Sequence, residues 1–147
     1  VNPDQPLTIG VWRDEDFAES GPVNPVAKLA DEESDVISFH AYNNAAGVEK
    51  RIAALKKYGR PMLCTEYLAR GFGSTIHDVL PVLRKHDIGA YIWGLVSGKT
   101  QTIYPWASWT KKFTSEPKPW HHDLFRTDGT PYDETEIKII RGITGKK

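Results

Sequence analysis

The chain has 147 residues, 39% of them hydrophobic and 26% charged, with nineteen basic side chains balancing nineteen acidic ones. A chain of this size buries one ordinary core, and its even charge lacks the basic footprint of a nucleic-acid binder. No apolar run is long enough to cross a bilayer, and a lone cysteine, Cys64, excludes an internal disulfide. The first residue is Val1 and no signal segment is visible, so the chain reads as a processed protein or a fragment.

Turn chemistry over Val1–Pro6 introduces a first predicted strand over 7–12, with Leu7, Ile9 and Val11 on one face and Thr8, Gly10 and Trp12 on the other. After an acidic loop, Asn24-Pro25 supplies a cap and a first-turn proline for a helix to about Glu33. The second strand covers 36–42. A helix from Ala45 to Tyr58 follows, with Val48, Ile52 and Leu55 at helical spacing and Gly59 as its stop.

The third strand covers 61–67, and strict alternation sets Met62, Cys64 and Glu66 on one face. Ser74 is the predicted cap of a third helix carrying Ile76, Val79, Leu80 and Leu83, and Pro81 predicts a kink or early break in it. The fourth strand, 89–94, points Tyr91 and Trp93 one way and Ala90 and Ile92 the other. Residues 95–120 form a long aromatic loop without periodicity, and loops of that kind are usually functional. Asp133 with Glu136 makes a capping-box start for a closing helix over 133–143, which carries Ile137, Ile140 and Ile143. Lys146-Lys147 reads as a solvated basic tail.

Strand starts at Leu7, Val36, Met62 and Gly89 lie 29, 26 and 27 residues apart, the strand–helix rhythm of a parallel α/β sheet. A complete (β/α)8 TIM barrel takes about 250 residues, roughly 31 per unit, so four βα units match half of one. Half a barrel leaves two unpaired edges and a bare inner face. It calls for a covering partner, either a missing N-terminal half or a second copy of this chain. The rival architecture is a small doubly wound domain with helices on both faces, which needs no partner. Against it, no glycine-rich phosphate loop follows any of the strands.

Active sites of parallel sheets gather at the carboxyl ends of the strands. The third strand stops there on a carboxylate, Glu66. On the second strand, the face of Val36, Ser38, His40 and Tyr42 grows more polar toward the same end, which suits a strand opening into a polar site. The plainer alternatives are a solvated or Arg-paired Glu66 and a satisfied core His40. His121-His122 is not read as a metal centre, because adjacent side chains diverge and no nearby Cys or carboxylate has ligand spacing. Neither metal nor cofactor is expected.

Taken in order, Asn2-Pro3-Asp4-Gln5-Pro6 before a strand, Ser38-Phe39-His40-Ala41-Tyr42, Pro61-Met62-Leu63-Cys64-Thr65-Glu66-Tyr67 and Tyr91-Ile92-Trp93-Gly94 resemble the C-terminal half of a retaining glycoside hydrolase. The clan is that of the (β/α)8 enzymes, including the cellulase-like family five and the β-galactosidase-like family two. The ending, Trp120-His121-His122-Asp123-Leu124-Phe125 with Asp128-Gly129-Thr130-Pro131-Tyr132, is similar to the tail of such catalytic domains. The likeness spans nearly the whole chain, as barrel strands five to eight and the closing helix.

The resemblance implies Glu66 as the nucleophile, with His40 and Tyr42 lining the subsite around the cleaved bond and Trp93 forming the floor under the sugar. Trp12, Trp106 and Trp109 are further candidate sugar contacts; the last two either extend the platform or pack their loop on itself. It also implies a β-linked oligosaccharide or polysaccharide substrate and a secreted or periplasmic location. The clan's acid/base, a Glu after an Asn at the end of strand four, has no counterpart, since no Asn-Glu occurs in the sequence. The isolated chain is therefore expected to be inactive. The alternative is a non-catalytic carbohydrate-binding or structural fragment.

Overall fold

Four strands pair in parallel, in the order β1 (Gly10–Val11), β2 (Ile37–His40), β3 (Met62–Tyr67) and β4 (Gly89–Ile92), in a computed structural model that describes residues 3–18, 20–21 and 24–145. The predicted turn residues Val1-Asn2 and the tail Lys146-Lys147 lie outside the described residues. Helices α1 (Pro25–Glu33), α2 (Ala45–Lys56) and α3 (Ile76–Lys85) follow the first three strands, and α4 (Glu134–Thr144) follows a long loop after β4.

Strands paired in sequence order through right-handed crossovers put their helices on one side of the sheet. The core agrees. Ala27 and Ala30 of α1, Val48, Ile52 and Leu55 of α2, Ile76, Val79 and Leu83 of α3, and Ile137 of α4 share one cluster with Ile37, Phe39, Cys64 and Tyr67 of the sheet. A doubly wound sheet needs a reversal of strand order, and this order contains none.

Local chemistry starts each helix. Side-chain oxygens of Asn24, Asn44, Thr75 and Asp133 accept from backbone N–H groups of the first turns, satisfying donors that have no partner inside the helix. Two predicted caps have other tasks. Ser74 is fully buried; its hydroxyl accepts from Leu68 N and donates to the Ala41 carbonyl, tying the exit of β3 to the end of β2. Glu136 makes no capping box and instead turns inward to Arg70.

Pro81 sits inside α3 without ending it. A mid-helix proline costs about 3 kcal/mol, whereas burying Ile76, Val79, Leu80 and Leu83 is worth roughly 6 kcal/mol or more. Burial wins.

The first strand is shorter than its pattern. Only Gly10 and Val11 join the ladder, and Leu7 and Ile9 remain 51% and 52% exposed, so the predicted apolar face reduces to Val11. Upstream, the Leu7 carbonyl accepts from both Asp35 N and Val36 N while Leu7 N donates to the Asp35 carboxylate, a loop closure rather than a strand register.

Candidate active site

Strict alternation puts Glu66 beside Cys64, on the face covered by helices. The register places it otherwise. Phe39 pairs with Cys64, but the next residue, His40, pairs with Glu66, so Thr65 is an extra residue in β3. The other flank agrees, because Cys64 pairs with Ala90 and Tyr67 with Ile92. A β-bulge re-aims the side chains that follow it. Glu66 therefore shares a face with His40, and Tyr67 returns to the core, 2% exposed. The Thr65 hydroxyl donates to the Phe39 carbonyl, and Ala41 N donates to the Glu66 carbonyl at 2.8 Å, which fixes the bulge against β2.

On that face the Tyr42 hydroxyl donates to Glu66 Oε2 at 2.7 Å, and His40 Nδ1 lies 3.1 Å from the same oxygen. The Glu66 and His40 side chains are 23% and 25% exposed, enough to meet a ligand while shielded from bulk water. Burial raises the Tyr42 pKa, and the hydrogen bond to Glu66 and its charge raise it further, so the phenol stays a donor. Burial pushes His40 below its ordinary value; Glu66 opposes this and Arg51 adds to it. A neutral His40 then donates from Nδ1 and keeps Nε2 as an acceptor. Gly10 lies beside that nitrogen, where a Cβ would stand in ordinary contact at 3.5 Å.

Two buried arginines hold the strand ends. Arg51, from α2, donates to the carbonyls of Trp12 at 3.0 Å and His40 at 2.7 Å and pairs with Asp14. Arg70 binds Glu136 through two nitrogens at 2.8 and 2.6 Å and donates to the carbonyls of Trp120, His122 and Asp123. The first clamps β1 to β2, and the second ties the segment after β3 to the chain that precedes α4.

Trp93 follows β4, its backbone N–H donating to the Tyr67 carbonyl, and is 47% exposed. Trp106 begins a single helical turn, Trp106–Trp109, inside the long loop. Its ring stands edge-on to Tyr42 at 5.0 Å and packs on Phe72 at 5.1 Å and His121 at 4.8 Å. Trp93, Trp106 and Trp109 border one cavity of about 300 Å³, with Thr100, Gln101, Thr102, Tyr104, Ser108 and His122. Trp106 thus packs its loop and lines the cavity at once. Trp12 is not brought there; it is 57% exposed and borders a different hollow with Ile9, Val11 and Ala27.

Sequence reasoning missed Phe72, Arg51, Arg70 and Gly94. Gly94 carried a signal, standing directly after a strand-end Trp. Its φ is +84°, and a Cβ would fall 2.5 Å from Asp123 Oδ1, so only glycine lets the chain before α4 close over Trp93's strand.

His77, Asp133 and Glu136 bring ligand-type atoms within 4.8 Å of one another. Their atoms already have partners, however. Both Glu136 oxygens hold Arg70, Asp133 caps α4, and His77 Nε2 lies 3.1 Å from the Thr135 hydroxyl.

No protein-family model and no curated protein matches this chain.

Proposed function

We propose that this chain is the C-terminal half of a (β/α)8 retaining glycoside hydrolase acting on β-linked glycans, with Glu66 as its nucleophile. The observation that carries the reading is the bulge that turns Glu66 out of the core, onto a face where Tyr42 and His40 both meet Oε2. Donors aimed at one oxygen keep a carboxylate ionised and oriented, which an attacking nucleophile requires.

In retaining hydrolysis a carboxylate attacks the anomeric carbon while a second carboxyl, about 5–5.5 Å away, protonates the departing oxygen. The Glu66 carboxylate forms the glycosyl–oxygen bond as the old glycosidic bond breaks, and water later cleaves the new one. The second carboxyl comes from another polypeptide, the missing barrel half or a second copy, which also covers the inner face of the sheet. Trp93 offers a ring face to a pyranose and an N–H to its hydroxyls.

An activated 2-deoxy-2-fluoro glycoside needs no acid for its leaving group, so it tests the nucleophile in the absence of the acid/base. The chain should gain the mass of one fluorosugar, mapped to the Met62–Tyr67 strand, and Glu66→Gln should gain none. No label on the unmodified chain, or label that persists in Glu66→Gln, overturns the assignment.

A non-catalytic saccharide-binding role is the second reading. It is favoured by one observation, that no carboxylate among the described residues borders the aromatic cavity. Saccharide binding without labelling supports it.

A further inference from the structure

The adjacent histidines differ in what their nitrogens face. His121 is enclosed against Phe72 and Trp106, 1% exposed, and neither ring nitrogen has a partner among the described residues. His122 is 2% exposed and borders the aromatic cavity, and its Nδ1 meets the Leu68 carbonyl oxygen. A carbonyl oxygen only accepts, so Nδ1 carries the proton and Nε2 is a bare acceptor. Nε2 has no partner among the described residues, yet it is not one of the sealed, unpartnered polar atoms. The direction left open to it is the cavity.

Burial holds His122 below its ordinary pKa, assisted by Arg70 and opposed by the Leu68 carbonyl, Asp123 and Glu66, so the acceptor form persists at neutral pH. The Thr102 hydroxyl, also on the cavity wall, already donates to Asp123. An acceptor on the wall of a cavity that three tryptophans also line selects a ligand with an apolar ring face and a hydroxyl at its edge. We propose that His122 is a ligand-binding residue, whose Nε2 accepts a hydrogen bond from a hydroxyl of a saccharide held among Trp93, Trp106 and Trp109. This rests on the carbohydrate reading of the site. It links the cavity to the carboxylate, because the His122 ring lies 5.7 Å from that of Tyr42, which bonds Glu66.

The test is calorimetric titration of the chain with cellotriose, mannotriose and xylotriose, beside nitrogen NMR of the histidine rings. The unmodified chain should bind at least one, and Trp106→Ala should weaken that binding. In His122→Asn the amide N–H₂ stands in for Nδ1 and keeps the Leu68 bond while removing the acceptor. It should bind about tenfold more weakly, the worth of one hydrogen bond. His122→Gln, whose oxygen reaches the Nε2 position, should recover part of the loss. The His122 Nε2 resonance of the unmodified chain should move on saccharide addition. If no trisaccharide binds, the carbohydrate reading falls and this inference with it. If binding is weakened by Trp106→Ala but not by His122→Asn, and the Nε2 resonance stays still, only the role of His122 is overturned. Should His122→Asn unfold, the resonance decides alone.

Discussion

The two faces of the sheet are completed by different means. On the helix side, Ile37, Phe39, Cys64 and Tyr67 are between 0% and 2% exposed and belong to one apolar cluster. On the other side, the register sets Gly10, Ser38, Leu63 and Gly89 in one row, with His40 and Glu66 beyond it. Tyr91 and Trp93, toward the same ends, remain 57% and 47% exposed. Water exclusion holds the first face. Directed bonds from Tyr42 and His40 to Glu66 mark the end of the second, while the two arginines clamp the strand exits and the chain before α4, and the remainder of the second face is open. A sheet finished this way has placed its stabilising apolar burial on one side.

The largest expected effect tests the directed bonds. Arg70→Met should cost about 3–5 kcal/mol in urea unfolding, because it strands Glu136, 3% exposed, without its partner. Arg70→Met with Glu136→Met should recover much of that; equal losses would show that the pair is incidental. Next, Phe39→Ala should cost roughly 3–5 kcal/mol and Tyr91→Ala within about 0.5 kcal/mol. Comparable losses would mean that the open face is as stabilising as the closed one. Gly94→Ala should cost about 1–3 kcal/mol from the positive φ alone, with more from the contact at Asp123, and should lower saccharide affinity with it.

The smallest effect is in pH. Burial, with His122 and Arg70 adding, holds His121 at about 4, below the ordinary 6.5. Between these values the unfolded chain takes up a proton that the folded chain refuses, so stability from this site is full above 6.5 and falls as pH drops toward 4. Asp31 acts oppositely: burial raises it to about 6, so the folded chain keeps a proton between 3.8 and 6 that the unfolded chain releases. The two slopes partly cancel in the unmodified protein. His121→Gln removes one of them and should leave stability that falls less steeply on acidification; an unchanged slope would show that His121 titrates normally.

The four strand–helix units were legible in the sequence because their signals are local: Asn24-Pro25 opens α1, Gly59 ends the turn after α2, and one stripe of α3 is apolar. The meeting of Tyr42 with Glu66 was legible in outline, since both end neighbouring strands. The facing of Glu66 was not, because a bulge exists only relative to the strands beside it. The shortening of β1 depends likewise on contacts with Asp35 and Val36. Arg70 and Glu136 stand 66 residues apart, and nothing near either one names the other. Ser74 looked like a cap because its neighbours form a helix start; the buried backbone of Leu68 and Ala41 claims it first.

The extra residue in β3 makes the strand's parity conditional. Removing one residue from a strand ordinarily inverts everything on one side of the gap. At Thr65 it would do the reverse. Cys64 would step directly to Glu66 as Phe39 steps to His40, and each remaining side chain would keep its face. The strand can be shortened there without being turned over. What it would surrender is the added bend and twist that a bulge provides, and with them the reach of its carboxylate rather than its direction.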